Sequence, residues 1–480
     1  KYIKRLSINR SHRHTHTDSR TQREIKREIK REKREKMKCV VLAQKEEFEE
    51  CEISRKPIIE IEIAFKPCLQ YTFEQVQRSN FIDECVFVVD RTSIQFAKSL
   101  CKKMMMNSHS ENERSSASLQ RKVVNTSGQQ NSGNNKAVKF EFVEVDCKSD
   151  VEALRHGLDF WIGRMNYDDE DVCVISARTI FDIPIDELVL THVKTNASLT
   201  ALLSERRIWD GIDVKYGRAP KLARYVSLMD FDDDSNKNSN GRDIKRLVMS
   251  SSESDKTVKI NRSALDFGNV KSSVKYREVR VYVFNAKMLT ETLQNNLKAK
   301  SMKNDIVPEM CQAQFLISGN LNKPVVAVIC KSTENNFACE IEKASPHFLE
   351  ISREILNFTS LVGREPSARH ENFVSPNAEL GSKSVIGSFC AVSSDVIIGE
   401  KVHVKRSVIC EGAFVGQGSK ITNSVIMSNA RIEDGCQISN SVIGANASVG
   451  KNSTLKECVV ECECEVAEEE NVREECIKRA

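Results

Sequence analysis

The chain has 480 residues, of which 40% are hydrophobic and 29% are charged. This length is too great for one compact core, so we expect two or three domains. No run of eighteen apolar residues occurs, and the first residues lack the apolar core of a secretory signal. Both observations argue against a membrane span and against secretion.

The net charge of +4 is unevenly distributed. Residues 1–36 hold 14 Lys and Arg against 5 Asp and Glu, a net of +9, which leaves −5 for residues 37–480. A basic arm of this kind could bind nucleic acid. Because it has almost no apolar residues and no interleaved aromatic residues, we favour a disordered, solvated extension ahead of Met37. We expect no direct contact with nucleic acid.

The seventeen cysteines are scattered along the chain, and most lie in apolar stretches. A scattered, odd set without a secretory signal is typical of reduced thiols. We therefore expect a cytosolic protein without disulfides.

Residues 37–345 alternate short β-rich runs with helical stretches, which predicts a Rossmann-like α/β domain whose mostly parallel sheet is covered on both faces. The predicted strands are Lys38–Ala43, Glu84–Val89, Lys139–Val145, Asp171–Ser176, Ser198–Leu203 and Glu278–Phe284, with two more around Pro324–Cys330 and Phe337–Ile341. The predicted helices are Thr72–Ser79, Thr92–Met105 and Asp150–Trp161, followed by the helix-rich Ala286–Phe315.

Two polar segments interrupt this pattern, Asn107–Lys136 and Asp230–Ser273. Neither has a helical or strand period, so we expect both to be disordered surface inserts. Residues 346–373 are predicted to be a linker, and residues 473–480 a tail.

Residues 374–472 carry a hexapeptide repeat. An aliphatic residue first recurs every six positions, at Val374, Leu380, Ile386, Val392, Ile398 and Val404. The period then becomes seventeen residues, with RSVI, NSVI, NSVI and ECVV starting at Arg406, Asn423, Asn440 and Glu457. Two hexads and one pentad make a triangular coil of three short strands, and stacked coils share one core. The repeat therefore predicts a left-handed parallel β-helix.

A small residue lies two positions before each aliphatic residue in the later coils. These are Ser407, Ala413, Ser419, Ser424, Ala430, Cys436, Ser441, Ala447, Ser453, Cys458 and Cys464. Positions i and i−2 of a strand face the same side, so these residues should also point inward. Glycine follows the aliphatic residues Leu380, Ile386, Ile398, Val415, Ile443 and Val449. We expect a positive φ at these glycines.

Two features of the repeat could suggest chemistry. Cys458, Cys462, Cys464 and the nearby Cys476 could form a metal site. Because Cys458 and Cys464 fall on small inward positions, as Cys390 does, we interpret them as buried thiols. A hexapeptide acyltransferase would need a histidine base between coils. The repeat's only histidine, His403, precedes the inward Val404 and should face solvent.

An α/β domain followed by a hexapeptide β-helix resembles the sugar-nucleotide pyrophosphorylases and, within them, the gamma-subunit family of eukaryotic translation initiation factor 2B. The resemblance is carried by DVCVISARTIFDIPIDELVLTHVKTNASLTALL, RVYVFNAKMLTETLQ with SMKNDIVPEMCQAQF, and IGEKVHVKRSVICEGAFVGQGSKITNSVIMSNARIEDGCQISNSVIG. It covers roughly residues 139–205 and 280–472. It implies a nucleotidyltransferase-like domain over residues 37–345.

The sequence departs from the active members of this superfamily at two places. They have a Gly-rich phosphate loop after the first strand, whereas QKEEFEECEISRKP has no glycine and only Lys56-Pro57 matches. They also hold the catalytic metal with an Asp after a central strand, where this chain has Arg178, which cannot ligate a cation. We expect Asp182, four residues on, to be a helix cap or loop residue. We predict no catalytic, cofactor-binding or metal-binding residue.

The resemblance implies a non-catalytic structural and regulatory subunit of the guanine-nucleotide exchange factor for initiation factor 2. Its expected partners are the epsilon and other subunits, with initiation factor 2 as the substrate protein. After the coils we expect only a short acidic tail, and not a further helical domain of the kind that the epsilon subunit carries, which fits the gamma-subunit family. The alternative is an active sugar-phosphate nucleotidyltransferase that makes a GDP-mannose-like product.

Overall fold

The computed structural model describes residues 37–44, 53–119, 138–161, 163, 165, 170–205, 226–231, 237–238, 240–250, 260, 262–273, 275–315, 323–331, 336–341, 348 and 351–478, the side chains of 107–119, 250 and 267 excepted. The predicted extension 1–36 and most of the phosphate-loop segment lie outside these residues. Among the described residues, no helix has both the length and the apolar character needed to cross a membrane.

The first domain is a three-layer α/β structure. Its strands are β1 Met37–Ala43, β2 Glu62–Ile63, β3 Lys66–Pro67, β4 Ile82–Asp90, β5 Lys139–Val145, β6 Asp171–Ser176, β7 Thr179–Phe181, β8 Leu199–Glu205, β9 Val226–Met229, β10 Ile244–Ser250, β11 Val270–Ser273, β12 Tyr276–Asn285, β13 Val325–Cys330 and β14 Ala338–Glu340. Its helices are α1 Cys68–Arg78, α2 Ile94–Leu119, α3 Asp150–Asp159, α4 Ile185–Thr195, α5 Arg262–Phe267, α6 Ala286–Asn295 and α7 Val307–Ala313, with a 3-10 turn at Ile58–Glu60 and a π-helix at Met302–Ile306.

Ten strands form one sheet in the order β11-β9-β10-β13-β8-β12-β6-β1-β4-β5. The strands β1, β4, β5 and β6 are mutually parallel, and β13 is parallel to β8. The sheet is mixed: seven of its ten strands run in one direction, as expected of a mostly parallel sheet, whereas β10, β11 and β12 run in the opposite direction.

The central strands are apolar on both faces, as strands covered by helices on both sides must be. Val40 and Leu42 of β1 pack into the core on the α3 side, whereas Cys39, Val41 and Ala43 pack into the core on the opposite side. This alternation follows from the two-residue period of a strand.

The expected disorder of the two polar inserts needs correction where the structure describes them. Helix α2 continues to Leu119, well past Asn107. The second insert contains β10, α5 and β11. Strand β10 has the sequence IKRLVMS, and its Leu247 and Val248 are buried. The sequence analysis missed this strand because its apolar run is short and the surrounding sequence is polar.

The second domain is the β-helix, with three walls of parallel strands. Wall 1 contains β15 Phe373–Val374, β18 Ala391–Val392, β21 Val408–Ile409, β24 Val425–Ile426, β27 Val442–Ile443, β30 Val459–Val460 and β33 Cys476–Ile477. Wall 2 contains β16 Glu379–Leu380, β19 Ile397–Ile398, β22 Phe414–Val415, β25 Arg431–Ile432, β28 Ser448–Val449 and β31 Glu465–Val466. Wall 3 contains β17 Val385–Ile386, β20 His403–Lys405, β23 Lys420–Thr422, β26 Gln437–Ser439, β29 Thr454–Lys456 and β32 Asn471–Arg473.

The strand register confirms the predicted change of period. Val374 pairs with Val392, eighteen residues on, and Val392 pairs with Ile409, seventeen residues on. All eleven small residues that precede the aliphatic positions are buried, as predicted. The β-helix extends slightly beyond its predicted limits, because it begins at Phe373 and its last strand, β33, lies in the segment that was expected to be a tail.

The expected positive φ of the glycines that follow the aliphatic residues is wrong. None of these six glycines has a positive φ. At Gly416, for example, an added Cβ would lie 2.5 Å from a backbone carbon of Glu433 in the next coil. Five of the six glycines are therefore required by the close approach of successive coils, whereas at Gly387 the nearest atom would be 3.3 Å from an added Cβ. Positive φ occurs at the corners instead, often at Asn, as at Asn423 and Asn440, which tolerate this conformation well.

The two domains meet along wall 1. The outward row of this wall, Ala391, Val408, Val425 and Val442, is buried against residues of the α/β domain such as Ile53. The predicted linker is part of this contact: residues 351–354 are helical, and they are followed by Ile355–Asn357 and α8 Thr359–Val362. Its apolar residues Phe348, Ile351, Ile355, Leu361 and Val362 are buried there. Described as a linker, this segment is mispredicted, because it packs between the domains.

Candidate functional site at the carboxyl edge of the sheet

In open α/β sheets, ligands bind outside the carboxyl ends of the strands, where the strand order reverses. Here the order reverses between β1, from which the chain proceeds to β4 and β5, and β6 on its other side. The two strand ends are joined by a hydrogen bond from the Ala177 N–H to the Leu42 carbonyl (2.9 Å). The residues around this point form the candidate site.

Arg178 lies at this edge, directly after β6, as the sequence predicted. It is only 5% exposed. Its N–H donates to Ser176 Oγ (3.4 Å), and its carbonyl accepts from the Ile341 N–H (3.0 Å). The carboxyl edge therefore holds a buried cation at Arg178, which repels a divalent metal ion.

Four further charged residues meet at the same edge. The Arg280 guanidinium donates to Glu340 and lies 3.5 Å from Asp150 Oδ2, and Lys303 Nζ lies 3.2 Å from Glu340 Oε2. All four residues are less than 10% exposed. Two cations and two carboxylates balance in charge, as buried ions must if they are to remain ionised. We refer to Arg280, Glu340, Lys303 and Asp150 as the buried ion network.

Each member of the network comes from a different element. Asp150 is the first residue of α3, and the N-cap of this helix, Ser149, accepts a hydrogen bond from the Glu152 N–H. The Oδ1 atom of Asp150 accepts a hydrogen bond from the Met302 N–H (3.0 Å). Lys303 lies in the π-helix, and Glu340 lies in β14. The network thus joins four parts of the chain that are distant in sequence.

Arg280 has an unusual backbone conformation. It lies where the register of β12 against β8 is broken, between Glu278 and Tyr282, and its φ is +48°. A non-glycine residue in this region costs about 1–3 kcal/mol and persists only where its surroundings fix it. The ion pairs of the Arg280 side chain supply that restraint.

A further buried hydrogen bond lies beside the network. The Tyr282 hydroxyl donates to the carboxylate of Glu278, and both residues are buried. Burial, followed by the negative charge of Glu278, raises the pKa of Tyr282 well above its usual value. The phenol therefore remains a neutral donor.

Asp182 is a loop residue and not a helix cap, since helix α4 is preceded by Pro184. Its carboxylate accepts from the Phe337 N–H (2.6 Å) and from Ser360 Oγ (3.4 Å). Burial raises the pKa of this carboxyl, although its hydrogen bonds oppose the shift. Asp182 thus connects the segment before β14 to helix α8, which belongs to the segment predicted as a linker.

The pair Lys56-Pro57 lies in a segment that contacts the β-helix. Ile53 accepts a hydrogen bond from the Ala445 N–H (2.9 Å), and Arg55 forms an ion pair of 2.9 Å with Glu463. Lys56 itself is exposed. The described part of the segment QKEEFEECEISRKP, which was predicted to lack a phosphate loop, therefore forms a contact between the domains.

The residues of the repeat lie where the sequence predicted. Cys390, Cys458 and Cys464 are buried, whereas Cys476 is exposed. Burial raises the pKa of Cys390. His403 is exposed on β20, which confirms its outward direction. Within the described part of the chain, no three His, Cys, Asp or Glu residues are arranged to hold a metal ion.

The sequence did not reveal the buried ion network, because the residues that pair in it are 37 to 130 positions apart. The covered wall of the β-helix did leave a signal. The tetrapeptides RSVI, NSVI, NSVI and ECVV have valine at the outward position of wall 1. In walls 2 and 3 the outward row is mainly polar or exposed, as at Arg431 and Lys420. Two adjacent aliphatic residues per coil indicate a wall that is covered on both sides.

The stacked triangular coils define the second domain as a left-handed β-helix of the hexapeptide-repeat class. Residues 369–472 match the family model described as "EIF2B subunit epsilon LbH domain". The coils are therefore of the type found in translation initiation factor 2B, and the match does not extend over the α/β domain. No curated protein matches the chain.

Proposed function

We propose that this chain is a non-catalytic structural and regulatory subunit of the guanine-nucleotide exchange factor for translation initiation factor 2. In this role it pairs with an epsilon subunit and the other subunits in the cytosol, supports GDP/GTP exchange on initiation factor 2, and does no chemistry itself. The observation that carries the proposal is the match of residues 369–472 to an initiation factor 2B domain.

The assignment as a gamma subunit goes further than that match, which is to an epsilon-subunit domain. It is supported by the resemblance of residues 139–205 and 280–472 to the gamma-subunit family.

The absence of catalysis is supported by the carboxyl edge of the sheet. The buried Arg178 and the four residues of the buried ion network lie at the carboxyl edge, beside the reversal of strand order where ligands of open α/β sheets bind. A metal-bound triphosphate would have to displace ion pairs that the chain makes with itself. Opening a buried pair leaves an uncompensated charge and costs several kcal/mol.

The first test is purification of the tagged full-length chain from its own cells, with its stable partners identified by mass spectrometry. We expect an epsilon subunit and the other exchange-factor subunits in stoichiometric amounts. Recovery of the chain alone, or with enzymes of sugar metabolism, would contradict the proposal. Recovery with a gamma subunit in place of an epsilon subunit would contradict the gamma assignment.

The second test addresses the alternative, an active sugar-phosphate nucleotidyltransferase. The purified chain is incubated with a nucleoside triphosphate, a sugar phosphate and magnesium, and pyrophosphate release is measured. We expect no release above that of a heat-denatured sample. Turnover that increases with chain concentration would establish the alternative.

A further inference from the structure

A groove lies between helix α2 and the edge strand β5. Its cavity volume is about 790 Å³. We refer to it as the α2–β5 groove. Its floor contains Cys101, Phe140 and Phe142, and its outer rim contains Met106, Lys98 and Lys102.

The floor of the groove is apolar and rigid. The rings of Phe140 and Phe142 are half-buried and pack on Phe73 and Phe87, with centroid distances of 5.4 Å for Phe73–Phe140 and 5.5 Å for Phe87–Phe142. On the rim, Met106 is 60% exposed. An apolar floor beside an exposed, flexible methionine is typical of a surface that binds a partner.

One side of the groove is a sheet edge. Strand β5 is the last strand of the ten-stranded sheet and pairs only with β4 among the residues that the structure describes. An edge strand presents backbone donors and acceptors to which an extended peptide can add as a further strand. Alternate side chains of such a peptide would lie on the same face as Phe140 and Phe142.

The charge of the rim selects the occupant. Lys98 and Lys102 are exposed one helical turn apart on α2 and supply the positive charge, whereas Lys139, at the start of β5, is paired with Glu141 at 2.8 Å. The chain's own residues 120–137, which connect α2 to β5, contain Arg121, Lys122 and Lys136 but no Asp or Glu. Their charge has the wrong sign for this rim, whereas an acidic segment is complementary to it.

We propose that the α2–β5 groove docks an extended acidic segment of a partner protein. The segment pairs with the backbone of β5, packs apolar side chains on Phe140 and Phe142, and directs carboxylates to Lys98 and Lys102. This docking role is independent of the proposed exchange-factor function, because it depends on the groove alone.

The test uses two fluorescein-labelled strand peptides and the full-length chain. Both peptides alternate valine with threonine; one carries glutamates at its two ends, and the other carries lysines. Binding is measured by fluorescence anisotropy. The chain variants are the double substitution Lys98→Glu/Lys102→Glu and the matched control Lys103→Glu, which reverses an exposed charge of the same helix outside the groove. Circular dichroism melting checks that each variant is folded.

We expect the glutamate peptide to bind the unmodified chain and the K103E control alike, and the double variant roughly tenfold more weakly. The lysine peptide should show the opposite preference and favour the double variant. Absence of binding, or equal binding of both peptides, would overturn the proposal, and so would equal weakening by K103E.

Two further measurements exclude other occupants. If replacing residues 120–137 by a Gly-Ser linker of equal length strengthens peptide binding, the chain's own segment occupies the groove and the proposal is wrong. If sedimentation shows a dimer that the double variant abolishes, the occupant is a second copy of this chain, and the proposal is again wrong. An unchanged affinity and a mass independent of concentration are the results that support it.

Discussion

The hydroxyl of Ser393, in the β-helix, donates a hydrogen bond of 3.2 Å to the carboxylate of Glu62, in the α/β domain. Glu62 lies on β2, at the contact with wall 1. Burial raises the pKa of Glu62 and outweighs the hydrogen bond from Ser393, which lowers it. The contact between the domains therefore contains a carboxylate that is harder to ionise in the folded chain than in water.

The substitution Glu62→Gln should make stability less dependent on pH. Since the folded-state pKa lies above the unfolded value, the contribution of Glu62 is complete below the unfolded pKa and is lost as the pH rises through the folded pKa. Glutamine can still accept from Ser393 and has no charge to desolvate. We expect E62Q to be more stable than the unmodified chain at neutral pH and equally stable at low pH.

The measurement for Glu62 is urea unfolding between pH 4 and pH 8. The control is Glu379→Gln, which changes an exposed carboxylate on β16. The control should leave the pH profile unchanged. A profile for E62Q that runs parallel to that of the unmodified chain would show that Glu62 is not the group responsible.

The buried ion network provides a second prediction. Removing one partner of a buried pair leaves an unpaired charge and costs about 3–5 kcal/mol. We therefore expect Arg280→Ala to lower the free energy of unfolding by this amount. The double variant R280A/E340A should cost less than the sum of the two single substitutions. Trp161, which is buried in the core of the α/β domain, reports unfolding by its fluorescence.

A matched control for Arg280 is Lys331→Ala. Lys331 pairs with Asp243 at 2.7 Å, but its side chain is 36% exposed. Ion pairs at the surface contribute about 0–1 kcal/mol. A loss for R280A as small as that for K331A would mean that the network does not stabilise the fold.

The sequence predicted the elements that depend on local periodicity. The six predicted strands between Lys38 and Phe284 are all present, with ends displaced by at most two residues. The β-helix was predictable in more detail, because each coil repeats the same environment and a single residue such as Ser424 can be placed on the inward side from its spacing alone. Residues of the carboxyl-edge site were predictable only where the family resemblance marked a position, as at Arg178.

The remainder depended on contacts that no local pattern encodes. Arg280 and Asp150 are 130 residues apart, and nothing near either residue indicates its partner. The glycine prediction failed for a related reason. Glycine is required at position 416 because a backbone atom of the next coil occupies the space of a Cβ, whereas the φ of Gly416 would allow other residues.

The inward serines of wall 1 form a ladder that supports a third prediction. Ser424 Oγ donates to the Thr422 carbonyl (2.8 Å) and accepts from the Ser441 N–H (3.2 Å), and the same arrangement recurs at Ser407 and Ser441. Since Ser424 is fully buried, Ser424→Ala leaves two backbone groups without this partner. The expected cost is about 1–3 kcal/mol.

Thermal unfolding followed by circular dichroism measures the effect of Ser424→Ala. The control is Ser448→Ala, which removes a half-exposed hydroxyl on β28 and should change stability by less than about 0.5 kcal/mol. Equal melting temperatures for the two variants would show that the ladder bonds contribute nothing beyond what solvent provides.

Two glycines separate the effect of close approach from that of backbone conformation. Gly416 has an ordinary φ but no space for a Cβ, whereas Gly418 has a φ of +72° and open space around it. Gly416→Ala should force the coils apart at a cost of about 1–3 kcal/mol. Gly418→Asn should be nearly neutral, because asparagine adopts a positive φ readily and does so at the equivalent corner, Asn452, two coils further on. Thermal unfolding of both variants measures the difference. If G418N were the more destabilising of the two, backbone conformation would limit the sequence of the coils, and the packing of one coil on the next would be secondary.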